Sequence, residues 1–150
     1  MLFRSPVDLR NLKLPAQRGA LDIIQTCLPR FSELVDDVRC IVAIVSLLSS
    51  PHTSIVCGCI DAMLSLSIVV PELACVVAKA YCNLIAKTPS PLPHVENMLI
   101  VFDGLRQLRS SIMNCSCVDD VAMHVLPALA VHDLVVQQKV LNFAMDLLTP

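Results

Sequence analysis

Two cysteine pairs, Cys57-Gly58-Cys59 and Cys115-Ser116-Cys117, and four histidines, His52, His94, His124 and His132, are the side chains of this 150-residue chain that could do chemistry beyond packing. Thiolate and imidazole are zinc ligands in kind. On a helix, residues two apart point about 200° away from each other, so Cys57 and Cys59 cannot clasp one ion. Cys115 and Cys117 read as part of a loop. Structural zinc sites usually space their cysteines by about two to four residues, so no metal ligand is expected there. A Cys/His nucleophile needs an activated thiolate and a base oriented by a third group, whereas His52, His94 and His132 fall at turns that open helices. Asp36-Asp37 and Asp119-Asp120 are adjacent carboxylates that diverge on a helix, and they read as helix-end charge rather than an acid/base pair. No Gly-rich phosphate loop, G-x-S-x-G or H-E-x-x-H string occurs. The expectation is no catalytic residue, no cofactor and no enzymatic activity. All eight cysteines, Cys27, Cys40, Cys57, Cys59, Cys75, Cys82, Cys115 and Cys117, lie along apolar stretches and are expected to be small core residues in a reducing compartment.

The elements that carry these residues follow from composition. Apolar residues make up 55% of the chain and charged ones 16%, with a mean hydropathy of +0.70, which is too apolar for disorder. Only 3 glycines, 3% aromatics and no tryptophan disfavour β-rich architectures and leave an all-α class. The net charge is −2 and no Lys or Arg occurs from Cys40 to Ala78. There is thus no basic field to hold a polyanion, and nucleic acid is excluded as a partner. The uncharged run Cys40 to Ile60 has about the length of a bilayer span. Ser49-Ser50-Pro51-His52-Thr53-Ser54 breaks it with a polar, proline-containing turn, giving two buried helices; a small helical membrane protein is the alternative class. Met1 to Ala20 lacks the apolar block of a secretory signal, so the expected location is cytoplasmic.

Helical periodicity is clearest late in the chain. Val118, Val121, Ala122, Val125 and Leu129 share one face, and Val136, Val140, Phe143, Ala144 and Leu147 share another. The short turn Val131 to Asp133 makes these two helices antiparallel neighbours. Further back, on the helix over 71–87, Leu73, Val76, Val77, Ala80 and Leu84 form the expected apolar face. About seven helices are expected, over 16–28, 31–49, 52–67, 71–87, 94–109, 117–130 and 133–148. Thr88 to Pro93 is a stiff connector and Ser110 to Ser116 a loop. Residues 1–19 are a linker or partial helix, and 20–150 one helical array.

The helix-joining turns at Ser49-Ser50-Pro51, Lys87-Thr88-Pro89 and Val131-His132-Asp133 recur about 38 and 44 residues apart, close to the HEAT/armadillo period of about 40 to 47. Units of two helices cannot bury their faces alone, so they stack into a HEAT/armadillo-like α-solenoid. Pro127 should kink its helix. Gln137 stands where HEAT repeats often carry Arg, so no ion-pair ladder between repeats is expected. As Leu148-Thr149-Pro150 lacks the polar outer face of a capping repeat, the chain is expected to be a fragment whose last helix leaves an apolar side uncovered and promotes self-association.

Beyond the generic repeat, Arg39-Cys40-Ile41 through Ser49-Ser50-Pro51, then Tyr81-Cys82-Asn83-Leu84-Ile85, then Asp103-Gly104-Leu105, then Ala130 to Asp146 leading into Leu147-Leu148 resemble, in order, the N-terminal trunk of the coatomer β-subunit family over about residues 20 to 150. Thr88 to Pro93, Ser110 to Ser116 and Val135 to Gln138 depart from the family pattern, as in a divergent member. The resemblance implies a scaffold in the COPI vesicle coat, acting in Golgi to endoplasmic reticulum and intra-Golgi transport and held peripherally on the Golgi membrane. It also implies other coatomer subunits as partners, δ in particular, and an Arf-family GTPase, with no residue assigned to the GTPase contact. A clathrin-adaptor-type large subunit or an unrelated cytosolic HEAT scaffold is the alternative. The polar stripes Lys79, Asn83, Lys87 and Gln138, Asn142, Asp146 are the candidate partner surface, with the concave face of stacked second helices as the expected docking side.

Overall fold

A computed structural model of the chain describes residues 13–27, 38–87, 94–115, 117–131 and 133–149. The described residues form α1 (Leu14–Cys27), α2 (Val38–Leu48), α3 (Thr53–Val69), α4 (Glu72–Lys87), α5 (Val95–Gln107), α6 (Arg109–Asn114), α7 (Val118–Val125), a 3-10 helix (Leu126–Ala130) and α8 (Leu134–Leu148), with no strand among them. The Thr88–Pro93 connector, residues 31–37 of the expected second helix, Ser116 and His132 lie outside the described residues. No helix of the described residues is long and apolar enough to cross a membrane.

The helices stack in two layers. α1 packs on α3, α3 on α5 and α5 on α8, while α2 packs on α4 and α4 on α7. The chain alternates between layers through the α2–α3, α3–α4 and α7–α8 junctions. Each helix therefore meets the helix one repeat further on, which is how an all-α solenoid closes a core that no single pair can close.

Local chemistry sets the ends. Asp133 sits in extended backbone before α8 and its carboxylate accepts from the Val135 and Val136 amides at 2.9 and 3.0 Å, satisfying donors a helix start leaves unpaired. Pro127 has no N–H, and the helix tightens into a 3-10 turn from Leu126 onward. Gln137, at the position of the expected missing arginine, donates to the Leu129 and Val131 carbonyls at 3.1 and 2.6 Å and so holds that corner from within its own repeat.

Two sequence expectations are corrected. Arg109 to Asn114 is helical rather than loop. Ile112 is fully buried, and Arg109 donates to the Asp146 and Thr149 carbonyls at 2.7 Å, closing the C-terminus of α8. Packing and this tie override the weak helix propensity of Ser110 and Ser111. On α4 the buried residues are Leu73, Ala74, Cys75, Val77, Ala78, Tyr81, Cys82 and Ile85, whereas Val76 is 39% exposed. Flanked by α2 and α7, α4 buries Ala74, Ala78 and Cys82 and turns Val76 outward. The faces expected for α7 and α8 are those observed, with Val136, Val140, Phe143, Ala144 and Leu147 all buried.

The core seam runs through aromatic rings. Phe102 of α5 meets Tyr81 of α4 edge-on at 5.8 Å between centroids and Phe143 of α8 at 6.3 Å, a geometry that adds to simple burial. Two glycines allow close helix approach. A Cβ on Gly104 would sit 2.7 Å from Ile60 Cγ2, and one on Gly58 would sit 2.6 Å from Leu21 Cδ2.

Candidate interaction surfaces and the cysteine cluster

The two expected polar stripes lie in different layers, one on α4 and one on α8. On α4, the Lys79 ammonium is 2.6 Å from the Asp120 carboxylate of α7. The Lys79 hydrogen bond, with smaller contributions from the charges of Lys79 and His124, holds the Asp120 carboxyl below its ordinary value. His124 Nδ1 lies 3.6 Å from the same carboxylate. Asn83 is half-buried and Lys87 exposed. On α8, Gln138 donates to Asn142 at 2.9 Å, and the Asp146 carboxylate receives Arg106 Nε of α5 at 2.6 Å. Lys139 pairs with Asp103 of α5 at 2.7 Å. Lys79 and Asp146 thus tie successive repeats together. The expectation of no ion pairs between repeats is overturned, because residues other than 137 supply them.

A second polar set is buried. The Asn97 amide, on α5, donates to the Ser50 and Pro51 carbonyls at 3.2 Å, and its Oδ1 accepts from the Thr53 hydroxyl at 2.8 Å. Ser50 Oγ donates to Gln17 Oε1 of α1 at 2.7 Å and accepts from the His52 amide. The Ser/Pro corner is therefore gripped from the repeat before and the repeat after. Beside it, Pro51, Thr53, His94, Val95, Glu96 and Asn97 line an open cleft.

The outward side of α8 carries Leu134, Leu141, Met145 and Leu148, exposed by 78, 39, 56 and 60%. Their spacing places them along one stripe, the uncovered apolar side expected of that helix.

The described cysteines differ in burial and bonding. Cys59 and Cys82 are buried thiols whose pKa burial pushes up to about 12, as expected of inert core residues. Cys57 is exposed. Cys75 and Cys117, 42 residues apart, are joined by a disulfide, which corrects the expectation of free core thiols for this pair. Cys115 lies against them. The three sulfur atoms fall within 4.8 Å of one another, because α4 packs on both α6 and α7 and brings Cys75 to the corner that Cys115 and Cys117 flank.

No family model matches the chain, and no solved structure matches it. Among curated proteins, "Coatomer subunit beta-2" of Oryza sativa subsp. japonica is 39% identical over 134 residues, 89% of this chain and 13% of that protein. In sequence, the chain is similar to this coatomer beta protein along most of its own length. "Coatomer subunit beta-1" of the same organism is 36% identical over 135 residues, again 89% of this chain and 13% of the relative. The chain spans about 13% of the length of the curated relatives it matches. The extent of the match agrees with the collinear likeness expected over about residues 20 to 150.

Sequence reasoning anticipated the uncovered apolar side of α8 and set the Cys115/Cys117 pair aside as core thiols. It missed Asn97 and the approach of Cys75. Asn97 carried a signal, a lone amide on a helix face otherwise made of Met98, Val101, Phe102 and Leu105. Cys75 carried none, because its partners are set by which helices stack.

Proposed function

We propose that the protein bearing this segment is a non-enzymatic structural subunit of a COPI-type vesicle coat, working in Golgi to endoplasmic reticulum and intra-Golgi transport from the cytoplasmic side of the membrane. The likeness to coatomer beta proteins over 89% of the chain is the observation that carries this reading. The stacked two-layer fold supports it, since such an array offers long continuous faces for other subunits, among them δ and an Arf-family GTPase in its GTP state. The ties Lys79–Asp120, Lys139–Asp103 and Arg106–Asp146 hold successive repeats in fixed relation, as a scaffold requires.

The test is recovery of the full-length protein from cell extract followed by mass spectrometry. Coatomer subunits, δ included, are expected in near-equal amounts, with membrane recovery rising when the GTPase is locked with a GTP analogue and a carbonate wash releasing the protein. Recovery alone, or with clathrin-adaptor subunits, overturns the reading.

A further inference from the structure

We propose that Cys75, Cys115 and Cys117, when reduced, form a three-thiolate site for a thiophilic divalent cation such as Zn2+, which clamps α4 to the α6–α7 corner. The three sulfurs lie within 4.8 Å of one another. Two thiolates on one zinc ion are about 3.8 Å apart, given Zn–S bonds of about 2.3 Å, so gathering them requires side-chain movement of about an ångström. The divergence that prevents residues two apart from sharing an ion holds only within a helix. Cys115 closes α6 and Cys117 precedes α7, so the pair spans a corner and turns toward one point. Cys75, at 4% exposure, supplies the third sulfur from beneath.

The electrostatics favour a cation. The N-terminal end of α7 stabilises a thiolate at Cys117. Glu72, in the first turn of α4, or a water completes the coordination. A disulfide uses two of these sulfurs and leaves Cys115 beside it, whereas a cation uses all three.

The two states are exclusive. A small dithiol reductant converts the Cys75–Cys117 bond into two thiols and becomes a cyclic disulfide itself, passing over two electrons and two protons. Zn2+ then displaces three thiol protons to solvent with no change in its own oxidation state.

The full chain, reduced, is titrated with Co2+ as a spectroscopic probe and then with Zn2+. One cobalt per chain is expected, with thiolate-to-cobalt charge-transfer absorption that zinc abolishes. Cys75→Ser, Cys115→Ser and Cys117→Ser each weaken binding by about tenfold or more, Cys57→Ser leaves it unchanged, and the oxidised chain does not bind. Circular dichroism checks that each variant is folded, and the half-buried Cys115 and Cys117 decide the matter if Cys75→Ser unfolds. A reduced chain that takes up no cobalt, or a folded Cys115→Ser variant that binds like the parent, overturns the proposal and leaves a disulfide with a bystander thiol.

Discussion

Asn97 of α5 donates its side-chain amide to the main-chain carbonyl of Ser50, 3.2 Å away and 47 residues earlier in the chain. The same amide reaches Pro51, and its oxygen takes the Thr53 hydroxyl, so one side chain fastens the α2–α3 corner to the next repeat. Asn97→Ala leaves these groups without that partner. A buried polar group left unpaired costs about 1–3 kcal/mol, and a loss of about 2–3 kcal/mol is expected in urea unfolding, with the dependence on urea unchanged. Asn97→Asp turns an acceptor toward two carbonyl oxygens and is expected to be at least as damaging. A stability within experimental error of the parent for both variants shows the tie to be idle.

Gly104 and Gly58 invite opposite outcomes. At Gly104 the obstacle is Ile60, whose Cγ2, Cδ1 and Cγ1 all lie within 3.2 Å of an added Cβ, and a β-branched side chain has little freedom to withdraw. Overpacking costs about 1–3 kcal/mol, so Gly104→Ala is expected to lower stability despite the gain of about 1 kcal/mol in helix propensity. At Gly58 the obstacle is the tip of Leu21, which can rotate away, and Gly58→Ala is expected to be neutral or slightly stabilising. Parallel thermal melts of the two variants make the comparison directly.

Phe102 joins both layers through Tyr81 and Phe143. Phe102→Ala removes a fully buried ring and is expected to cost about 3–5 kcal/mol. Since Tyr81 then loses its edge-on neighbour, the near-ultraviolet circular dichroism of the chain's single tyrosine should weaken even in the fraction that remains folded.

The Lys79–Asp120 pair predicts a pH dependence. Asp120 is held below its ordinary value in the folded chain, chiefly by its hydrogen bond from Lys79. A carboxyl whose folded pKa is depressed adds stability above its unfolded pKa and loses it as pH falls through the folded one. The contribution is thus present at neutral pH and lost on acidification below the usual carboxylate range. Lys79→Met is expected to raise the Asp120 midpoint in an NMR titration, and raised salt should act in the same direction. A midpoint unmoved by the substitution separates Asp120 from Lys79.

The cap on α8 gives a local check. Asp133→Ala removes the acceptor for two amides and is expected to cost about 1 kcal/mol, with Asp133→Asn or Asp133→Ser recovering most of it. Equal stability of all three variants argues against the cap.

The sequence was informative where local rules decide the outcome. The apolar face of α8, its Asp133 start and the tightening at Pro127 all follow from periodicity and from a missing N–H, and the stacked-pair architecture follows from helices too apolar to stand alone. It was uninformative where the neighbour decides. Ser110 and Ser111 read as loop because the value of Arg109 and Ile112 lies in α8 and the core. Val76 read as buried because the rotation of α4 is fixed by α2 and α7. The Asp120, Asp103 and Asp146 partners, and the meeting of Cys75 with Cys115 and Cys117, depend on which helix stacks on which. Residue spacing within one element contains none of that.

The long-range ties share one property. Ser50 with Gln17, Asn97 with Ser50, Lys79 with Asp120, Lys139 with Asp103 and Arg106 with Asp146 are separated by 33, 47, 41, 36 and 40 residues, each about one structural unit. During synthesis, when chains emerge at about 5–20 residues per second, each such tie can close within seconds of its later partner leaving the ribosome. Assembly can then proceed in step with translation, with every new hairpin templated by the one already in place.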